Sequence, residues 1–326
     1  MFYFALKDIK EGTIEKMQGE LGDPNRISTR GEKIDEVKVP SELSGGVFPV
    51  NLLANKYCPT NRDFFLKVVK RISQPLTWPS YQGRIIHKLC FKMFQSVEAY
   101  VLRGNIIQKA NLLKYAQQKG QRFIRELTSD IDRKTSGMPE KPSKTMKDNF
   151  LTNLSKLVRM ESETVSTFID YTIATNFDVE VASEFRRLFP FQREISLNAT
   201  PLGFSLGVKP DFIYSRGGSI VIGDIKTGEI RDFHKLVLAS YALAYEYHER
   251  VPVNFGTILN INLSNERNVP IYKCTETVVI SDKYRQAFLK LRDEKFNIAV
   301  IRKDPGPPPN KDVCTECPYF SHCGGT

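Results

Sequence analysis

The ten residues Ser219–Gly228, SIVIGDIKTG, decide the fold, because they place two charged side chains at the end of an apolar strand. Side chains alternate between the two faces of a strand, so Asp224 and Lys226 should share one face. That face should also carry Ile220 and Ile222, and the opposite face Val221 and Ile225. A buried carboxylate and ammonium are costly unless they are paired or have a function. A surface hairpin with an ordinary Asp–Lys pair is the alternative, since such a tripeptide often occurs by chance.

The strand's upstream neighbour suggests what the charged pair does. The run FSLGVKPDFIYS also has strand character, and Arg216-Gly217-Gly218 predicts a tight turn that joins the two strands as a hairpin. This pairing could bring Asp211 beside Asp224. Two close carboxylates repel each other, and a divalent cation such as Mg²⁺ or Mn²⁺ relieves the repulsion. Lys226 could then orient a water molecule or stabilise developing negative charge.

The flanking segments predict an α/β fold. A strand-like run, FQREISLN, precedes the hairpin, and a helical run, DFHKLVLASYALAYEYHER, and a strand-like run, VNFGTILNINL, follow it. The order β–β–β–α–β indicates a mixed sheet with a crossover helix. Upstream, residues 81–117 and 150–175 read as helices, 72–80 as a proline-containing linker and 118–149 as a loop-rich excursion. We therefore divide the chain into residues 1–80, a helical region 81–180, a core 181–302 and a C-terminal segment 303–326.

The charge balance points to an anionic partner. Lys and Arg number 47 against 37 Asp and Glu, a net charge of +10, and nucleic acid is the first candidate. Residues 101–150 hold eleven of the basic residues and five of the acidic ones, which fits either a solvated surface or an arm that contacts phosphates. No apolar run approaches the ~18 residues of a membrane span, so we expect a cytoplasmic protein without membrane contact.

Histidine and cysteine residues add candidate metal ligands. His87, in GRIIHKL, is either a third ligand beside the two aspartates or a structural residue of a helix. Three of the six cysteines form the pattern C-x2-C-x5-C near the C-terminus, and a fourth ligand must come from elsewhere. Spacing alone leaves open an iron–sulfur site completed by Cys58 and a zinc site completed by His322. We interpret Cys90 and Cys274 as packing residues, and the cluster cysteines are Cys314, Cys317 and Cys323.

These motifs together resemble a known family. Gly83-x-x-x-His87, Gly207 ahead of Asp211, and Gly223-Asp-Ile-Lys-Thr-Gly228 follow in the order of the RecB-like nuclease motifs. With one upstream cysteine and three at the C-terminus, the pattern is similar to the CRISPR-associated Cas-four family. The chain's length, and Val237 at a position where that family has Gln, both favour its archaeal Csa-one branch. The resemblance spans residues 58–323. It implies a PD-(D/E)xK (restriction-endonuclease-like) core closed by a four-cysteine iron–sulfur site.

The resemblance also implies roles for individual residues. His87, Asp211, Asp224 and the carbonyl oxygen of Ile225 would bind Mn²⁺ or Mg²⁺, Lys226 would be catalytic together with the two aspartates, and Cys58, Cys314, Cys317 and Cys323 would hold a [4Fe–4S] cluster. The implied activity is that of a DNA exonuclease, which we expect to cut single-stranded DNA 5′-to-3′ and to prepare CRISPR spacers alongside the Cas-one and Cas-two integrase proteins.

The helix after the DxK strand departs from the family pattern. Val237 stands where the family has a Gln, four residues before a tyrosine that is here Tyr241, a possible accessory residue. This departure favours, as one alternative, a nuclease-like subunit that binds DNA ends and cuts weakly. An iron–sulfur RecB-like repair nuclease is the other alternative. Oligomeric state is open.

Overall fold

One mixed sheet and eight α-helices make up the part of the chain that the computed structural model describes, namely residues 30–37, 39, 47–103, 108–175, 191–193, 195–216, 218–263, 271–274, 277–310, 312–314, 317 and 319–323. The helices are α1 Val50–Ala54, α2 Arg62–Val68, α3 Trp78–Leu102, α4 Lys109–Thr128, α5 Ile131–Thr135, α6 Lys144–Thr175, α7 Phe233–Glu249 and α8 Asp282–Ile301. The strands are β1 Phe191–Arg193, β2 Phe212–Arg216, β3 Ser219–Lys226, β4 Phe255–Asn262, β5 Ile271–Cys274 and β6 Val278–Val279.

The six described strands form one sheet in the order β1-β2-β3-β4-β5, and β6 also pairs with β4. Strands β2 and β3 form an antiparallel hairpin, in which Arg216 pairs with Ser219 across a two-residue turn. Strands β3 and β4 are parallel, and α7 provides the crossover between them. The predicted mixed α/β arrangement is therefore confirmed.

Helices cover both faces of the sheet. Val221 and Ile225 belong to an apolar cluster that also contains residues of α3, α4 and α6. Ile220 and Ile222 pack in a second cluster with α1, α7 and α8. The predicted alternation along β3 is thus correct. Burial on both faces also explains why this strand is apolar on each side rather than on one alone.

The prediction that residues 118–149 form a loop-rich excursion is wrong. Most of α4, the short α5 and the start of α6 lie in this range. The stretch is polar because its helices are amphipathic, and the apolar residues of α4, such as Leu112, Ala116 and Phe123, are buried against the neighbouring helices. Basic residues, including Lys114, Arg122 and Arg125, therefore project from helices rather than from an extended arm.

The end of the predicted linker at residues 72–80 is also helical. Helix α3 begins at Trp78, and Pro79 lies in its first turn, where a missing backbone N–H costs little. Thr77 and Ser80 cap this helix reciprocally, each side chain bonding the other's backbone. The proline that suggested a linker thus belongs to a helix start.

A buried ion pair joins the two helices on the second face. Arg285 Nη2 of α8 lies 2.7 Å from Glu246 Oε1 of α7, and both side chains are fully buried. The guanidinium group also donates to the carbonyl oxygens of Val253 and Ile280, and Glu246 accepts from the N–H of Val253. These bonds hold α7, and with it the edge of the site described below, in a fixed position.

Among the described helices, none combines the length and the apolar character that crossing a membrane requires.

Candidate active site

The end of β3 brings the two predicted carboxylates together. Phe212 pairs with Gly223, so continuing the antiparallel register sets Asp211 opposite Asp224. A Cβ at position 223 would lie 2.0 Å from the Phe212 ring. Glycine is therefore required there, because any side chain would displace the ring and open the hairpin just before the two aspartates.

Asp211 is held by two neighbours. Its Oδ2 accepts a hydrogen bond from the N–H of Ile225 at 2.6 Å, and its Oδ1 lies 3.4 Å from His87 Nδ1. Burial pushes the pKa of Asp211 upward, but the His87 interaction and the Ile225 N–H outweigh it, so the pKa is lowered. Burial likewise opposes protonation of His87, yet Asp211 raises the pKa of that imidazole overall. Each residue therefore favours the charged form of the other.

Asp224 has the opposite character. Its residue is 3% exposed, and burial raises its pKa to about 6, with attraction to Lys226 lowering it and repulsion from Asp211 raising it. Lys226 Nζ lies 2.7 Å from Asp224 Oδ2, and this attraction outweighs burial and raises the pKa of Lys226. The ion pair lacks hydrogen-bond alignment, and within the described residues Asp224 Oδ2 has no hydrogen-bond partner.

The donor set at this position suits a divalent cation. Two carboxylates, an imidazole nitrogen and a nearby backbone carbonyl are ligands that Mn²⁺ accepts. As the side chains stand, no three His, Cys, Asp or Glu residues of the described chain converge closely enough to hold one ion. His87 and Lys226 instead lie against the two aspartates, so the ligand set stays a prediction.

Helix α3 forms one wall of a cleft of about 570 Å³ at this site. A Cβ at Gly83 would lie 2.8 Å from Thr227 Oγ1, so glycine lets α3 approach the chain just after β3. This approach brings His87, one turn further along the helix, to Asp211. The cleft residues contributed by this face of α3 include Gly83, Arg84, His87, Lys88 and Phe91.

Two cleft residues that the sequence analysis did not single out are basic. Arg84 and Lys88 flank His87 on α3, and both side chains are exposed. Within the described chain neither forms an ion pair with a carboxylate, so both charges face the cleft's solvent. The sequence could have indicated them, because they lie three residues before and one residue after the motif histidine.

Helix α7 contributes a tyrosine and a histidine. Tyr241 donates its hydroxyl hydrogen to Asn51 Oδ1 at 3.1 Å; burial, and then the charges of Asp224 and Asp211, raise its pKa well above the usual value. Val237 is buried in the apolar cluster of this face and offers no polar group. His234, which was also not predicted, lies one turn before Val237, and burial followed by the charges of Lys226 and Arg231 lowers its pKa to about 4.

The four predicted cluster cysteines come from the two ends of the described chain and lie in one region. Burial raises the pKa of Cys323, and the nearby Cys58 and Cys314 contribute to the same shift. Cys58 and Cys323 also contribute to the raised pKa of Cys317, where burial again is the main cause. The backbone N–H of Cys317 donates to the carbonyl oxygen of Cys314 at 2.9 Å.

Protein contacts join these two ends independently of any metal. Arg62 donates from Nε to Oδ1 and from Nη2 to Oδ2 of Asp304, each at 2.9 Å, and Thr60 Oγ1 donates to the carbonyl oxygen of Gly306 at 2.8 Å. Four thiols from two segments are a donor set that suits iron or zinc, but they do not converge to ligand distance as they stand. The side chain of His322, the alternative fourth ligand, is exposed. Cys90 lies in the apolar core, and the side chain of Cys274 lies outside the described part of the chain.

Comparisons with known proteins agree with the resemblance found in the sequence. Residues 28–326 match the family model described as CRISPR-associated exonuclease Csa1. A protein of that name from Thermoproteus tenax is 25% identical over 296 residues, which cover 88% of this chain and 86% of that protein. A second, from Saccharolobus solfataricus, is 24% identical over 286 residues, covering 87% of this chain and 88% of that protein.

Proposed function

Because the chain belongs to the CRISPR-associated exonuclease Csa1 family, we propose that it is a metal-dependent DNA exonuclease that processes spacer precursors. The observation that carries the proposal is the pairing of the buried Asp224 with Asp211 beside Lys226, at the mouth of a cleft with basic residues. Family membership makes the nuclease class plain. The metal, the polarity 5′-to-3′ and the preference for single strands are parts of the proposal.

The chemistry follows from the residues at the end of β3. His87, Asp211, Asp224 and the Ile225 carbonyl oxygen would hold Mn²⁺ or Mg²⁺, which supplies Lewis-acid activation of water and of the phosphodiester. Asp211 is oriented for this by the Ile225 N–H and by His87. Lys226 carries its positive charge next to Asp224, where it can orient the attacking water and stabilise charge that develops on the phosphate.

DNA binding is assigned to the cleft wall. Arg84 and Lys88 present exposed positive charges on the same helix face as His87, so a strand whose phosphates contact them passes along the cleft that His87 and Asp211 line. Replacing both by alanine should weaken DNA binding without sequence preference. The slope of log affinity against log salt concentration should flatten by roughly 0.7–0.9 per lost contact. The double substitution Lys283→Ala/Lys290→Ala, at exposed lysines of α8 on the other face of the sheet, is the matched control.

Catalysis is tested on end-labelled single- and double-stranded DNA with Mn²⁺, Mg²⁺ or EDTA. Asp224→Ala and Lys226→Ala should each lower the cleavage rate at least ~10²-fold while DNA affinity stays nearly unchanged. Asp232→Ala is the control, because that aspartate is exposed at the start of α7 and should leave cleavage intact. If both site variants cut DNA at the wild-type rate, Asp224 and Lys226 are not the catalytic residues.

The cysteine region supports a second part of the proposal, a [4Fe–4S] cluster held by Cys58, Cys314, Cys317 and Cys323 that joins the two ends of the chain. Two observations support it: the thiols are close enough to contribute to the raised pKa values of Cys317 and Cys323, and hydrogen bonds join the two segments that carry them. We further propose the Cas-one and Cas-two integrase proteins as partners, on the family resemblance alone. Pull-down of the purified integrase proteins, with the cysteine variants as comparison, tests this partnership.

One observation favours a second candidate function, a subunit that binds DNA ends and cuts weakly. Val237 is buried among apolar side chains, so α7 offers no amide at the position where the family has Gln. The variant Val237→Gln distinguishes the two: a large gain in cleavage rate at unchanged DNA affinity would indicate that the natural chain is primarily a binding subunit.

A further inference from the structure

Tyr57 is an exposed aromatic residue beside the catalytic lysine. The residue is 44% exposed, although the next residue, Cys58, is only 6% exposed. The two residues that the Tyr57 ring contacts, Arg231 and Phe233, belong to the segment that follows Lys226, the last residue of β3, and leads into α7. A single exposed aromatic residue is common on protein surfaces. Its position next to residues that would hydrolyse a substrate makes this one informative.

Neighbouring side chains hold the exposed ring in place. The Phe233 ring lies 4.8 Å from it, centroid to centroid, at an interplanar angle of 72°. The guanidinium carbon of Arg231 lies 5.2 Å from the Tyr57 ring centroid, a cation–π distance. We call Tyr57, Phe233 and Arg231 the Tyr57 shelf. Packing orients the Tyr57 ring, and the Arg231 guanidinium beside it also forms an ion pair with Glu229 at 3.5 Å.

The backbone that carries Tyr57 is also fixed. Lys295 of α8 donates from Nζ to the carbonyl oxygens of Leu52 and Leu53, at 2.8 and 3.1 Å, and to that of Asn55. These carbonyl groups end α1 and lead into residue 57. Because the backbone is held here and the ring already packs against Phe233, Tyr57 loses little conformational entropy when a ligand contacts it.

We propose that Tyr57 stacks on an unpaired base of the DNA strand being cut, with Arg231 beside the phosphate next to it. This inference rests on the proposed nuclease function and names the residue that selects an unpaired base. Aromatic rings bind bases of any sequence through stacking, and a nearby cation adds attraction for the backbone. A base inside a duplex is covered on both faces by its neighbours, so an internal base pair cannot use the shelf.

The test uses the full-length protein and a single-stranded oligonucleotide with 2-aminopurine near its 5′ end, without added Mn²⁺ or Mg²⁺. Stacking on an aromatic ring quenches 2-aminopurine, so wild-type protein should quench it on binding. Tyr57→Ala should lose the quenching and bind this strand roughly 5- to 150-fold more weakly, whereas Tyr57→Trp should retain both. Binding of a blunt duplex should change little. Tyr171→Ala is the matched control, since that tyrosine is 67% exposed on α6.

Each outcome decides the matter. The proposal is overturned if Tyr57→Ala leaves quenching and affinity unchanged, or if the wild-type protein does not quench the probe. It is also overturned if Tyr57→Trp loses as much affinity as Tyr57→Ala, or if Tyr57→Ala weakens binding to duplex DNA equally. The same measurements in the Asp224→Ala background separate this inference from the proposed catalysis. If the protein quenches the probe but never cuts DNA, the shelf stands and the exonuclease assignment is refuted. If the protein cuts DNA but Tyr57→Ala changes neither quenching nor affinity, the exonuclease assignment stands and the shelf is refuted.

Discussion

The close approach of α3 to the chain after β3 leads to a prediction about Gly83. Alanine inside a helix normally stabilises it by about 1 kcal/mol relative to glycine. Here the new Cβ would lie 2.8 Å from Thr227 Oγ1, so the helix or the hydroxyl must move. Inserting a methyl group into a tight contact typically costs 1–3 kcal/mol. We therefore expect Gly83→Ala to lower the free energy of unfolding by up to about 2 kcal/mol.

The same substitution should impair cleavage. His87 follows Gly83 by one helical turn, so a shift of α3 away from β3 also moves the imidazole away from Asp211. Misplacing a catalytic group by about 1 Å can cost on the order of 10²-fold in rate. Cleavage of end-labelled DNA at saturating Mn²⁺ measures this loss.

A second substitution reverses the sign of the stability effect. Thr227→Ala removes Oγ1, and the nearest remaining atom, the Cβ of residue 227, would lie 3.9 Å from the new Cβ, an ordinary contact. In that background Gly83→Ala should stabilise the protein by up to about 1 kcal/mol. Urea unfolding of the wild type, both single variants and the double variant gives a coupling energy, which we expect to be about 1–3 kcal/mol. Equal effects of Gly83→Ala in both backgrounds would refute the reasoning.

Three further predictions concern stability and the cysteine region. Glu246→Ala leaves the buried Arg285 without its ion-pair partner and should lower the free energy of unfolding, measured in urea, by about 3–5 kcal/mol. Glu246→Gln should lower it by less, and equal small losses in both variants would contradict the buried pair. The unfolded chain takes up a proton on His234 below pH ~6.5 and the folded protein only near pH 4, so His234 alone should lower stability by roughly 2–3 kcal/mol between these values. The raised pKa of Asp224 acts in the opposite direction, in the wild type and in a His234 variant alike. His234→Gln should lack that part of the decline, and parallel pH curves for the two proteins would refute it. Anaerobically purified protein should be brown with about four irons. Cys58→Ala should bleach it and Cys90→Ala should not, whereas a colourless, zinc-loaded protein would overturn the iron–sulfur prediction.

The strand pattern around the DxK motif could be predicted because its cause is local. Side chains of a strand alternate with a period of two, whatever the strand packs against. The assignment of Ile222 and Val221 to opposite faces was therefore correct, and each residue lies in a different apolar cluster. The pairing of Asp211 with Asp224 followed from the same period and a two-residue turn.

The helical region was harder to predict because composition does not reveal packing. Residues 118–149 are polar, yet most of them belong to helices whose narrow apolar side is buried, as at Phe123 and Ile131. Helices of this kind are stabilised mainly by tertiary contacts, which no local pattern reports. Pro79 misled for a related reason, since proline favours both a linker and the first turn of a helix.

Sequence alone therefore determined the α/β class, the carboxylate pair beside Lys226 and the candidate metal ligands, because short-range periodicity and motif order carry that information. Only the tertiary structure decided which residues surround the pair. Tyr57, Arg84 and His234 are far apart in the chain, and each lies near the end of β3 because helices pack on both faces of the sheet. The charges there also depend on burial: Asp211 and Asp224 are the same residue type, yet their pKa values shift in opposite directions because His87 and the Ile225 N–H contact only Asp211.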